Sequence, residues 1–201
     1  MRAHPHYNPF NVREPSECPD WQKIFADNRP LDLEIGFSTG RWLLQYAKIF
    51  PERDIVGLEI RSKFIAHVRR KIAAENLSNV YVLQANAGTA LKELFAPRSL
   101  SRVIIMFPDP WYKPRHIKRR VVNPPFLAEL AEYLQPDAEL HIATDQQILA
   151  EDMYADLRAA PAYCNKYTDY APQNFAGLVT DIEQYNIERG RRIYRLVFRR
   201  R

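Results

Sequence analysis

Four short runs, at residues 31–35, 54–59, 80–84 and 102–107, read as strands, and stretches of helical spacing separate them. That alternation leaves few folds open. Strands that alternate with helices at these intervals build βαβ units around a mainly parallel sheet with helices on both faces. The helical stretches are 41–50, 63–75 and 88–95, and the first stops at Pro51. Beyond them, 125–134 reads as helix, 139–143 as strand and 146–157 as helix. The end differs in character, with strand-like 163–170, a helix at 181–188 and a last strand at 193–199. An antiparallel pair there would close one edge, giving seven strands in all. Residues 1–30, rich in proline and aromatics without periodicity, read as an arm draped on the 31–201 domain, with a short helix over 21–25.

The fourth strand runs into Phe107-Pro-Asp-Pro-Trp-Tyr112. Pro108 and Pro110 cannot extend a sheet, so they force a rigid open turn with Asp109 held at the strand's end. Trp111 and Tyr112 add flat apolar surface. Lys113, Arg115, His116, Lys118, Arg119 and Arg120 follow with no acid among them. A carboxylate, aromatic faces and a cation cluster suit one base of a polyanion better than a small metabolite.

Charge makes the same point. The formal net charge is +5, but five Lys/Arg lie in 113–120 and six Arg in 191–201, with no acid in either. Without those eleven the chain keeps 18 basic and 24 acidic residues, a net of −6. Two concentrated positive segments on an acidic body are the footprint expected for nucleic acid. No amphipathic helix supports a membrane surface instead, no apolar run is long enough to span a bilayer, and the first residues lack a signal peptide's apolar core. Cys18 and Cys164 have no metal-type spacing, which fits a reduced cytoplasmic protein with no metal.

Ligands of an open α/β sheet bind beyond the carboxyl ends of its strands. Glu34 lies there beside the turn Gly36-Phe-Ser-Thr-Gly40, Glu59 ends the second strand, and Asn86 follows the third. A carboxylate at the end of the second strand is placed to accept ribose hydroxyls. A dinucleotide fingerprint would need glycines where Ser38 and Arg41 stand, which weakens a nicotinamide-dependent oxidoreductase reading. Glu34 would repel pyrophosphate yet suit an ammonium or sulfonium group, a description that fits S-adenosylmethionine.

At these residues the chain resembles the bacterial tRNA (guanine-N(7)-)-methyltransferase family. The carriers are 34–40, 57–61, Phe107 to Trp111, Lys113, 116–120, Thr144-Asp145 and Thr180 to Glu183. The resemblance implies a single Rossmann-like class I methyltransferase domain with a basic C-terminal tail. It implies S-adenosylmethionine as methyl donor and tRNA as partner, acting as a monomer or homodimer, with the target guanine in the variable loop. Carried over, the cofactor contacts are Glu34, Gly36, Gly40, Glu59, Asn86 and Asp109, with Asp109 also the catalytic centre. Lys113, Asp145, Thr180, Asp181, Ile182 and Glu183 would bind the RNA substrate. Ser38 replaces a glycine common in the family's turn, and Tyr112 and Pro114 interrupt its usual basic run.

Plainer roles stand beside these. Asp145 is equally suited to cap the next helix, and Thr180 with Glu183 fits a capping box. Trp111 suits core packing as well as base stacking, His116 a surface or phosphate contact rather than a base, and the terminal arginines a solubilising tail. A non-catalytic RNA-binding protein on the same fold is the rival function.

Overall fold

The structure, a computed structural model, describes residues 8–12, 19–25 and 28–201. Parts of the expected N-terminal arm, Cys18 among them, lie outside the described residues. Seven strands form one sheet: β1 (Leu31–Ile35), β2 (Asp54–Glu59), β3 (Val80–Gln84), β4 (Leu100–Met106), β5 (Leu134–Thr144), β6 (Tyr163–Asn165) and β7 (Tyr194–Arg200). Their order is β3-β2-β1-β4-β5-β7-β6. β7 pairs antiparallel with β5 and β6, and the other pairings are parallel. The helices are α1 (Trp21–Phe25), α2 (Arg41–Ile49), α3 (Ser62–Ala74), α4 (Ala87–Leu94), α5 (Pro124–Tyr133), α6 (Gln147–Ala159) and α7 (Asp181–Ile187).

Strand alternation sends Leu33, Val56, Leu58, Val103, Ile105, Leu140 and Ile142 to one face, under the apolar sides of α4, α5 and α6. Trp21 of α1 stacks on Phe95 and donates its indole N–H to the Leu94 carbonyl at 2.6 Å, closing that layer at its edge. On the other face Ile55, Val80, Val82 and Ile104 meet α2 and α3. Buried Asp32 there accepts two bonds from Arg53, at 2.6 and 2.7 Å, and one from the Tyr46 hydroxyl, so its charge is compensated.

Two elements depart from the sequence reading. β5 begins at Leu134 rather than near Glu139: a register shift against β4 between Leu100 and Arg102, with Asp137 at φ +62°, carries the strand through Pro136. The strand expected over 163–170 stops at Asn165, after which single bonds, Lys166 N–H to Val197 and Ala171 N–H to Arg195, hold the chain loosely along β7. The terminal arginines are likewise no tail. Arg195, Arg199 and Arg200 lie in β7, Arg199 and Arg200 at its end remote from the carboxyl ends of the parallel strands, where Arg200 and Arg201 donate to backbone carbonyls.

Candidate active site

The order reverses between β1 and β4, so the loops after these neighbours leave in opposite directions and open a crevice. The first loop is the glycine turn. Gly36 takes φ +84° with open space where a side chain would be, and Gly40 takes φ +75° with Val68 of α3 only 2.6 Å from where a Cβ would sit. Gly57 of β2 plays a related part, since a Cβ there would meet the Phe37 ring at 2.7 Å. Ser38 adopts φ +49° without being glycine, and its N–H donates to Glu59 Oε2 at 3.0 Å.

The second loop carries Asp109. Phe107 (φ +53°) and Trp111 (φ +43°) are both left-handed, bracketing Pro108-Asp109-Pro110 with two costly conformers. They persist because the segment is tied at each end: Phe107 N–H donates to the Ala143 carbonyl at 2.7 Å, and Arg120 Nε to the Pro110 carbonyl at 2.9 Å. Trp111 is buried, with His116 edge-on at 5.6 Å and the Arg119 guanidinium over its ring at 5.1 Å.

These loops wall a cleft of about 340 Å³. Glu34, Gly36, Glu59, Asn86, Asp109, Thr180, Asp181 and Ile182 line it. Gly40, Lys113, Asp145 and Glu183 do not. Gly40 acts from behind, letting α3 approach. Lys113 is exposed on the outer loop, while Lys118 and Arg119 of the same basic run reach the wall. Glu183 is buried and ion-paired with Arg195 at 2.6 Å, and its N–H is capped by Thr180 Oγ1, so only half of a capping box forms. α6 begins one residue later than expected, which puts Gln146 rather than half-buried Asp145 at its cap position.

Glu34 is 2 % exposed, its Oε2 has no hydrogen-bond partner, and burial with the nearby Glu59 charge pushes its pKa up to about 8. An orphaned acid of this kind matches a cationic group entering the cleft. Glu59 is equally buried but well satisfied, by the Ser38 and Arg61 N–H groups and by a two-pronged Arg61 guanidinium at 3.1 Å. Asn86 Oδ1 caps α4 through Gly88 N–H, leaving its amide as the donor.

Some partners here were invisible in sequence. Asp181 accepts from Thr39 Oγ1 at 2.8 Å and from Arg41 at 2.9 Å, strapping the start of α7 to the glycine turn. Contacts between groups some 140 residues apart leave no periodic trace. The Tyr112 hydroxyl, likewise, is bonded to Gln146.

A family profile described as "Putative methyltransferase" matches residues 28–196. A tRNA (guanine-N(7)-)-methyltransferase of Burkholderia pseudomallei (strain 1710b) is 41% identical over 192 residues, 96% of this chain and 72% of that one. The chain belongs to the tRNA (guanine-N(7)-)-methyltransferase family. A second member, from Burkholderia cenocepacia (strain HI2424), is also 41% identical, over 96% of this chain and 75% of its own. Family membership makes the chain an S-adenosylmethionine-dependent enzyme. Among solved structures, the 16S rRNA methyltransferase KamB superposes with a TM-score of 0.69 at 18% identity, covering 92% of this chain and 94% of that one. The antibiotic-resistance methyltransferase Kmr gives 0.65 at 16%, over 90% and 91%. At such identities the likeness speaks to the class I methyltransferase fold alone, and it agrees with the sheet order described above.

Proposed function

We propose that this chain moves the methyl group of S-adenosylmethionine to nitrogen-7 of a guanine in the variable loop of tRNA, in the cytoplasm. The observation that carries the reading is that Asp109 and the glycine turn share one cleft. Glu59 suits the ribose hydroxyls once Arg61 yields acceptor sites, Asn86 offers an amide donor to the base, and Glu34 suits the cationic end of the ligand. When bound there, S-adenosylmethionine supplies an activated methyl group.

Guanine nitrogen-7 carries an in-plane lone pair and no proton at neutral pH. The transfer therefore asks the protein for alignment and charge placement, with no general base. Asp109, an acceptor-only group, can take the two N–H donors on guanine's pairing edge, an arrangement adenine cannot offer. Its charge also favours the cationic methylated base. The buried Trp111 gives the wall an apolar face against which an extruded base can rest, because nitrogen-7 is inaccessible in the deep groove of A-form RNA. Lys118 and Arg119 stand on the same wall for the neighbouring phosphates.

The test is incubation of unmodified tRNA with radiolabelled methyl donor and nucleoside analysis. The wild type yields 7-methylguanosine. Asp109→Asn keeps donor binding, seen by equilibrium dialysis, and loses methyl transfer by at least about a hundredfold, the scale of one lost charge-stabilising group. Full activity in that variant, or label on any other atom, rejects the assignment.

A further inference from the structure

The arginines from 189 to 201 divide into two populations that sequence does not distinguish. Arg195, Arg199, Arg200 and Arg201 are committed, to Glu183, to Glu139 and to backbone carbonyls. Arg189, Arg191 and Arg192 are held more lightly, Arg189 by a single bond to the Tyr185 carbonyl at 3.3 Å. All three are exposed, and among the described residues none is ion-paired with a carboxylate. Instead they lie on aromatic rings: Arg189 3.6 Å from the centre of Tyr185, Arg191 at 5.5 Å on the same ring, and Arg192 4.8 Å from Tyr194. A guanidinium set against a ring is held in place while keeping N–H groups for phosphate. The only acid within the turn, Glu188, bonds to Gln184 instead.

Their place in the fold gives the patch a direction. α7 starts at the cleft, where Asp181 is strapped to Thr39 and Arg41, and spans about 10 Å at 1.5 Å per residue. β7 then starts at Tyr194, opposite Thr144 at the carboxyl end of β5. The turn between them, with Gly190 at φ +62°, therefore stands on the cleft side of the sheet. The basic run at 114–119 stands on the same side after β4. Two cation lobes thus flank the cleft.

We propose that Arg189, Arg191 and Arg192, laid on Tyr185 and Tyr194, form a second phosphate track that grips the RNA backbone on the α7 side, away from the target base. Exposed guanidinium edges with no internal acid fit a polyphosphate chain, and three clustered arginines around the exposed Tyr185 and Ile187 put more charge there than the core of a protein interface carries. The track rests on the tRNA reading above but adds a surface to it. It carries register and affinity and takes no part in the chemistry.

The test compares wild type with Arg189→Ala/Arg191→Ala/Arg192→Ala for tRNA binding between 50 and 200 mM salt, alongside donor binding and thermal unfolding. The triple variant is expected to bind tRNA at least tenfold more weakly at low salt, with the slope of log K against log salt smaller by about 2–3. Donor binding and melting temperature stay as in wild type, and kcat at saturating tRNA is kept. A triple lysine variant, keeping charge but not the planar edge, recovers the slope and only part of the affinity. If the alanine variant matches wild type in affinity and slope, the track is refuted. If instead the wild type itself neither binds nor methylates tRNA, the functional reading has failed first, and the two failures are told apart by that control.

Discussion

Glu34 shows how a single buried acid connects stability, ligand charge and pH. Its pKa of about 8 stands well above the ordinary 4.5, so between those values the folded chain holds a proton that the unfolded chain has released. Its contribution to stability is therefore complete below about pH 4.5 and is lost as pH rises through 8. Urea unfolding at pH 5, 7 and 9 should show the wild type losing more stability across this range than Glu34→Gln, whose amide mimics the protonated acid. Parallel losses in the two proteins would remove the basis for this account. The same proton governs the ligand. A sulfonium or ammonium group entering beside Glu34 favours the ionised form, so donor binding at pH 7 should release a proton and tighten as pH rises from 6.5 to 8. Calorimetry in buffers of different ionisation heat reads that release, and in Glu34→Gln it should vanish. Sequence made the position of Glu34, Glu59 and Asp109 legible, because each lies at or just beyond the carboxyl end of a strand whose pattern is plain. It could not show that Arg61 already fills Glu59, or that Glu34 is left with an orphan oxygen. Both depend on side-chain directions within a turn whose Ser38 takes a conformer usually left to glycine.

At the scale of the element, the glycine turn works because α3 presses against it. Gly40 holds a left-handed conformation with Val68 too close for any side chain. Gly40→Ala combines backbone strain with overpacking and should cost about 1–3 kcal/mol in urea unfolding, together with a loss of donor affinity. In the Val68→Ala background the overpacking part disappears, so the double variant should recover part of both losses, a coupling that additive sites do not show. Additivity would mean that the contact is not what constrains the turn. Strand and helix identities were readable wherever one period ran unbroken, as in β1 to β4 and α2 to α6. They were misread where tertiary pairing overrode a local breaker, as at Pro136 in β5. They were also misread where a β-rich stretch, 163–170, found a hydrogen-bonded neighbour for only three residues.

Across the whole molecule the two faces of the sheet are covered unequally, and this difference governs the RNA side of the cleft. One face is packed by α4, α5 and α6. On the other, α2 and α3 pack against β1 to β3, while over β4, β5 and β7 the cover is the loop before α7 together with α7 itself. Phe175 fastens that loop. Its ring takes the Arg102 guanidinium at 4.6 Å and the His141 edge at 4.7 Å, and it reaches Phe50, Tyr46 and Trp42 within 6.3 Å. Downstream of this anchor come Thr180 and Asp181 at the cleft, and then the arginine turn. No helix propensity or strand period announces such an anchor, because its partners belong to three separate elements. Phe175→Ala should lower stability by only about 1–3 kcal/mol, since the ring is half-buried. The larger effect should be local: faster amide exchange over residues 174–187, with β1 to β5 still protected. A loosened α7 still meets the glycine turn through Asp181, so donor affinity should fall less than tRNA affinity. Exchange over 174–187 indistinguishable from wild type would mean that the strap from Asp181 to Arg41, rather than the aromatic anchor, holds the RNA side in place. The Asp181→Asn variant would then show the local opening instead.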